Sequence, residues 1–514
     1  MISEYPNYLI TSDSIYIKPS SGLQAGVLAI SNDSISGFYT NIADAPQGPD
    51  TQVIDATGKT VTAGLVDVHT FFTGYLLTTF GVDLNSSSSK EAVLSTLGKY
   101  AEEHPDISLL IAQNLGTELR FSLSELDAFC PHTPVVLFYP YNEQCCFNTK
   151  AKDAYSFDPD NCYSEAMWRL LKALLSEKEL AQKAFVDYMA MLNKRGITSV
   201  KEMGFDDFYG FTNILEALKE NQKLSLRVHF MSQPVGRPMN VEYAKEMREK
   251  FHSNMLAFSG FNQMTDGSVS QYEADLKAPY KGKNFTCQKD IQWDSLKKDT
   301  LAADNAGFRF SLHAQGDAAI KKCLDIFELC QKDENGRLIN RHAITDLEYS
   351  DANNFEQMAK LGAVAEVYPQ IMSLYTQEEK LKTIDDMLGS ARGKDYWNRR
   401  AMADAGVIIS CGTDLPLLFP SLQESIYHSS YNLFPEGGVA FNKANALTTE
   451  EVVGAWTYGG QYNLNRESLL GTLETGKLAD LVIFEDDLFS ASQESIRSIE
   501  VEKTFVNGKI VYEK

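Results

Sequence analysis

The chain has 514 residues and a formal net charge of −22, and a surface this acidic repels phosphate backbones, so nucleic acid is not an expected partner. Apolar residues at 44% and charged residues at 23% are ordinary for a soluble globular protein. No window of about eighteen apolar residues occurs, so no membrane span is expected.

The N-terminus, Met1–Ile17, lacks a basic stretch followed by an apolar run, so no signal peptide is expected and the cytoplasm is the expected compartment. The 8 cysteines form no CxxC pair, which fits reduced thiols better than a disulfide framework. Short strands open the chain at Tyr8–Ile10, Ser14–Ile17, Gly26–Ser31 and Ser34–Phe38, and turn residues between them suggest a small antiparallel sheet. The C-terminus answers with Asp480–Phe484, then Val501–Val506 and Lys509–Tyr512 around the Asn507-Gly508 turn. One small β domain built from both ends is expected, over residues 1–60 and 469–514.

Between them, residues 61–468 alternate apolar strands with amphipathic helical patterns, the signature of parallel βα units. Strand candidates are Leu65–His69, Ile197–Lys201, Ser225–Phe230, Ala257–Met264, Phe308–His313, His342–Asp346, Val364–Tyr368 and Val407–Cys411. Eight is the number that closes a (β/α)8 barrel, so the expected class is α/β. Asp317–Leu329 and Asn353–Leu361 are the clearest helices. The stretch from about 73 to 190 is too long for one crossover and is expected to be an insertion over the barrel mouth.

Reactive groups in such barrels sit at the C-terminal strand ends. Those ends carry His69, Lys201, Asn262, His313, Asp346, Tyr368 and Asp414. Other polar residues have structural readings. His342 stands at a strand start, the wrong end for catalysis, and His229 reads as a core imidazole. Asp67 is expected to fix a backbone or a His near the strand end, Asp266 and Asp317 to belong to glycine turns where a carboxylate caps the next helix, and Trp397 with Arg399 and Arg400 to lie on a solvated helix.

Three segments carry a family resemblance: Arg309-Phe-Ser-Leu-His-Ala-Gln-Gly-Asp317, Thr265-Asp-Gly-Ser268 and the closing Gly471-Thr-Leu-Glu-Thr-Gly-Lys-Leu-Ala-Asp480. Over nearly its whole length the chain resembles the YtcJ-like branch of the amidohydrolase superfamily. The resemblance implies a distorted barrel beside a β-sandwich and a metal-dependent hydrolase of carbon–nitrogen bonds. In that family metal ions held by imidazoles and carboxylates activate water, and the last-strand Asp moves its proton.

Residue by residue the implied ligand set is incomplete. His69, His313 and Asp414 stand at ligand positions. Phe71 replaces the second His of the first strand, Asn262 falls where the fourth-strand Lys belongs, and Asp346 replaces the sixth-strand His. The insertion motif Asp-Gly-His reads Tyr141-Asn142-Glu143, and the second strand ends in Lys201-Glu202. A binuclear centre is therefore not expected. The cofactor is either none or one divalent metal, zinc by preference, on His69, His313 and Asp414.

The leading expectation is a hydrolase of a non-peptide carbon–nitrogen bond in a small molecule. Asp414 would be the base, with His69, His313 and Asp346 around it, and Tyr368, Asn262 and Phe71 against the substrate. One alternative is a metal-independent lyase, isomerase or decarboxylase using Lys201, Glu143 and Asp346. Another is a non-catalytic small-molecule binder. A plain ion pair of Lys201 with Glu202, Glu143 or Asp346 is the structural alternative for that lysine. A homo-oligomer stays open.

Overall fold

The computed structural model describes residues 5–140, 144–157, 165–176, 178–203, 210–234 and 238–514. Eight strands form a parallel sheet: β1 (Leu65–Thr70), β2 (Ile197–Glu202), β3 (Arg227–Ser232), β4 (Leu256–Met264), β5 (Arg309–Ala314), β6 (Ala343–Asp346), β7 (Val364–Val367) and β8 (Ile408–Cys411). They pair in chain order, and a parallel bridge from Thr70 to Leu415 brings the two edges together as a nearly closed barrel. All eight expected strands are present. In β1, β2, β3 and β5 every residue is buried, because one face meets the barrel interior and the other the surrounding helices. Helix Asp317–Phe327 shows how that outer layer seats itself: Ile320, Cys323, Leu324 and Phe327 are buried on one helical face.

The terminal strands form one mixed sheet. Tyr8–Tyr16 pairs antiparallel with Leu23–Ser31 but parallel with Gln52–Asp55 and Thr60–Ala63. Leu481–Phe484 then joins Thr60–Ala63, and Val501–Val506 and Lys509–Glu513 complete the edge. The two separate strands expected at Tyr8–Ile10 and Ser14–Ile17 are one strand with an irregularity between Ser12 and Ile15. There the Ser12 side chain accepts from its neighbour's Ser14 N–H at 2.9 Å, so the backbone bends without leaving the sheet. At the Asn507-Gly508 turn both residues have positive φ, and a Cβ on Gly508 would meet Asn32 O at 2.0 Å.

Between β1 and β2 the long insertion carries a sheet of its own, ordered Cys145–Phe147, Val135–Phe138, Leu110–Gln113, Val82–Asp83. Leu97, Leu110, Leu126, Val135 and Leu137 give it a separate apolar core. Asn148 ties it together: its Oδ1 accepts from Val135 N and Ala151 N, and its Nδ2 donates to Cys130 O and Thr133 O. Among the described residues no helix is long and apolar enough to cross a membrane.

Candidate active site

The site is assembled by backbone ties between strand ends. Asp67 on β1 is fully buried; its carboxylate accepts from His69 N at 3.1 Å, Thr413 N at 3.2 Å and Thr413 Oγ1 at 2.5 Å. Burial pushes its pKa up to about 7 against those hydrogen bonds. Asp414 N in turn donates to His69 O at 2.8 Å. The loop after β8 is thereby laced to β1, and Gly412 permits it: a Cβ there would lie 2.7 Å from His69 Cβ. The expectation that Asp67 fixes backbone is what the contacts show.

The loops after β4 and β5 are held by Asp266. Its carboxylate accepts from Gln315 N at 2.9 Å, Gly316 N at 2.8 Å and Asp275 N at 2.9 Å, and Thr265 Oγ1 donates to His313 O at 2.6 Å. Burial raises Asp266 to about 6. Asp346 and Leu347 after β6, and Asp414 after β8, all adopt positive φ. For residues with side chains this costs on the order of 1–3 kcal/mol each, and such conformations persist where surrounding structure over-determines them.

Two histidine–carboxylate pairs result. His69 Nε2 lies 3.8 Å from Asp414 Oδ1, and its Nδ1 lies 3.9 Å from Glu366 Oε2 on β7. His313 Nε2 lies 3.3 Å from Asp346 Oδ2, which also accepts from Gln315 Nε2 at 2.6 Å. Burial opposes a charge on His313, but the Asp346 hydrogen bond and the charges of Asp346, Asp266 and Asp414 outweigh it, and its pKa is raised. Asp414 keeps about a third of its side chain open, 34%, but the packed strand ends around its carboxylate still desolvate it and raise its pKa, with His69 and His313 pulling the other way. Rings frame His69: Phe71 at 5.4 Å and Tyr368 at 5.7 Å between centroids, both edge-on. Asn262 is buried on β4, with its Oδ1 lacking a partner among the described residues.

Lys201 is not at the mouth. Its side chain is fully buried one layer down, where its Nζ pairs with Glu366 Oε1 and donates to Ser311 Oγ at 3.2 Å. Among the described residues its partner is Glu366, not Glu202 or Asp346. Burial pulls Lys201 down to about 8, while its charge holds Glu366 below the ordinary carboxylate range against burial, so the pair is ionic. Glu366 also accepts from Thr345 Oγ1 at 2.7 Å and Asn463 Nδ2 at 2.9 Å, and so joins β2, β5, β6 and β7. Glu202 faces outward, accepting from Phe72 N at 3.0 Å and from Thr70 Oγ1 at 2.9 Å.

Glu366 and Gln315 escaped the sequence reading. A carboxylate inside the apolar run Val364–Val367 was the available signal for the first. Trp397 and Arg399 correct another expectation. They are buried, not solvated, with Arg399 donating to Tyr368 O at 2.8 Å and to Ser429 Oγ at 2.9 Å. Glu143, with Tyr141 and Asn142, lies outside the described residues.

The expected metal ligands can be tested on their geometry. Among the described residues the only group of three His, Cys, Asp or Glu donors mutually within 4.8 Å is Asp304, Cys330 and His342. His69, His313 and Asp414 therefore do not close on one point; they divide between the two pairs, and the ring of Phe71 stands where another imidazole would serve. This donor set does not fit a three-ligand centre. Nor does the Asp304 group, which lies at the opposite end of β6. Phe310 N donates to His342 Nδ1 at 3.0 Å, which puts the ring proton on Nε2, aimed at Asp304 Oδ1 at 3.0 Å. A metal on Nε2 would require an imidazolate, and burial keeps His342 neutral by lowering its pKa.

A cleft of about 710 Å³ lined by Asn7, Asp33, Asn254 and Lys509 lies between the terminal sheet and the turn before β4, at the far end of the barrel from His69.

A parallel barrel with histidines and carboxylates gathered at its C-terminal strand ends has the layout of the α/β-barrel enzymes, whose sites lie at that face. The chain belongs to the amidohydrolase family, whose pattern matches residues 52–512. It is 22% identical to the putative amidohydrolase YtcJ of Bacillus subtilis, with 93% of this chain and 94% of that protein covered. It is also 22% identical to the N-substituted formamide deformylase of Arthrobacter pascens, with 96% of each covered. A metal-dependent hydrolase from Pyrococcus horikoshii has the same fold, with a TM-score of 0.76 at 19% identity over 95% of this chain and 99% of that one.

Proposed function

We propose that the protein hydrolyses a non-peptide carbon–nitrogen bond of a small molecule without routing the reaction through a metal. The observation that carries this reading is the pair of histidine–carboxylate couples on β1/β8 and β5/β6. Asp414, with its side chain 34% exposed, is the member that water reaches, and it takes the proton as the water oxygen attacks the carbonyl carbon. His313, whose pKa Asp346 raises, has an Nδ1 with no partner among the described residues, and in its protonated form this is the donor for the developing oxyanion. The carbon–nitrogen bond then breaks, and Asp414 returns the proton to the leaving amine. His69 holds Asp414 in place, and Phe71 and Tyr368 hold His69. The deformylase among the relatives acts on N-substituted formamides, which supports the reaction class. The lyase reading loses its reactive lysine, since Lys201 is sealed inside the barrel against Glu366.

The test is a panel of formamides, amides and cyclic ureides assayed by amine release, with wild type beside Asp414→Asn and His313→Asn. Release by wild type that both variants lose supports the reading. Release insensitive to Asp414, or abolished by a chelator, overturns it.

A further inference from the structure

Strand register turns a set of cations toward the lower interior of the barrel. Ser199 pairs with Arg227 and Lys201 with His229, and residues paired across parallel strands share a face, so Arg227 and His229 look the same way as the sealed Lys201. On the next two strands Gly260 pairs with Arg309, and a Cβ on Gly260 would lie 2.8 Å from Arg309 Cγ, so glycine there makes room for the arginine side chain. The floor is the short helix Gly460–Asn463. Asn463 Oδ1 accepts from Arg309 Nη1 at 2.7 Å and from Lys201 Nζ at 3.4 Å, and Gln461 Nε2 donates to Ser199 Oγ at 2.9 Å. Arg466 follows, its backbone N–H donating to Gln461 O at 2.8 Å.

The charges at this floor do not balance. Glu366 neutralises Lys201, Asp480 neutralises Arg227 and Glu467 neutralises Arg341. Arg309 spends its guanidinium on two neutral acceptors, Asn463 Oδ1 and Arg341 O. The half-buried Arg466 guanidinium has no hydrogen bond or ion pair among the described residues, and Arg227 repels it. His229 is 3% exposed, and its ring has no hydrogen-bond partner among the described residues. Burial and the charges of Arg466, Arg227 and Arg309 hold its pKa well below the ordinary imidazole value, so it offers a neutral N–H. Two guanidiniums without a carboxylate and an unpartnered imidazole thus stand together in a chain whose formal net charge is −22. Charge held away from water without compensation is costly, and buried polar groups without partners are rare.

We propose that the barrel floor binds one small inorganic anion, a halide or a tetrahedral oxyanion, between Arg466, Arg309 and the His229 N–H. The ion supplies the negative charge that the side chains do not, and it ties the closing segment at Arg466 to β3 and β5. Guanidiniums are weakly hydrated and carry five N–H donors each, which suits them to take such an ion from water. The Lys201–Glu366 layer lies between this floor and the mouth that holds His69 and His313, so the anion site stands apart from the hydrolase reading.

The experiment pairs calorimetric titrations with thermal melts of the full chain in chloride, sulfate and inorganic phosphate, with ionic strength held constant by gluconate. Wild type is expected to bind at least one of the three saturably, at one ion per chain. His313→Asn, which removes the unpartnered imidazole of the mouth, is expected to bind it equally well. Arg466→Met is expected to bind it about tenfold or more weakly, the size of a lost charged hydrogen bond. Arg466→Gln, which keeps a polar side chain and loses the charge, should follow it. The melts add a readout that a merely structural arginine would not move. In gluconate alone Arg466→Met should melt at or above wild type, because a cation that Arg227 repels is gone, and at saturating anion the order should invert. No saturable binding, binding that His313→Asn abolishes, or equal affinity in both Arg466 variants overturns the inference. So does an Arg466→Met chain that melts below wild type in gluconate alone, or a rise in melting temperature that grows linearly with salt in both proteins, the mark of exclusion from the surface.

Discussion

Lys201 and Glu366 form an ion pair in which both side chains are fully buried, one reaching from β2 and the other from β7. Removing either partner leaves a charge without compensation in the barrel interior, which costs about 3–5 kcal/mol, whereas replacing both with apolar groups costs far less. Lys201→Met and Glu366→Gln are therefore each expected to lower unfolding free energy strongly in urea titrations. Lys201→Met/Glu366→Leu should recover much of the loss. A double variant as weak as the sum of the singles would show that the pair is not the unit of stability.

Asp414→Asn is expected to reduce kcat by about 10²- to 10⁴-fold, the range of a lost general base. Stability should not fall with it. Burial raises Asp414's pKa, which means the ionised carboxylate is already disfavoured there, so a neutral isostere removes that cost. Steady-state amine release and thermal melts on the same preparation check both parts. A folded variant with wild-type turnover would move the base elsewhere.

The pH dependence follows from two raised groups. Activity needs His313 charged and Asp414 ionised, so kcat/KM should be bell-shaped, with its acid limb above the ordinary carboxylate range and its alkaline limb above the ordinary imidazole value. For His313 the folded pKa exceeds the unfolded one. Its contribution to stability is thus fully present below the unfolded value of about 6.5 and is lost as pH rises through the folded one. Asp346→Asn removes the nearest negative charge and leaves at most a neutral amide acceptor, so it should shift the alkaline limb to lower pH. Profiles of the two proteins that superimpose would disprove the coupling.

The barrel was legible because its strands are local apolar runs at regular spacing, each followed by a helical pattern. The site was legible only where a residue closes such a run, as His69, His313 and Asp346 do. Glu366 was hidden because it sits within one, and its partner Lys201 is 165 residues away, a separation that no window detects. Arg399 and Trp397 were misplaced for a related reason. Their burial is made by the loops after β7 and β8, which carry no periodic signal. The division of His69, His313 and Asp414 between two couples depends on backbone ties such as Asp414 N to His69 O, and these are absent from side-chain identity altogether.

Restoring imidazoles should restore a metal seat. In the wild type, Phe71 meets His69 edge-on at 5.4 Å and Asp346 meets His313 Nε2 at 3.3 Å, so both changed positions already touch the histidines that remain. Phe71→His adds a donor beside His69, and Asp346→His adds one beside His313. Zinc needs three or four nitrogen, sulfur or oxygen donors about 2.0–2.3 Å away, and the double variant supplies four imidazoles with Asp414 nearby. Elemental analysis after purification without added metal is expected to find zinc well below stoichiometric in the wild type and close to one per chain in Phe71→His/Asp346→His. The wild type should also keep its turnover after dialysis against a chelator. Stoichiometric zinc in the wild type, lost together with activity on dialysis, would mean that the two couples move together around an ion, and the metal-independent mechanism would have to be abandoned.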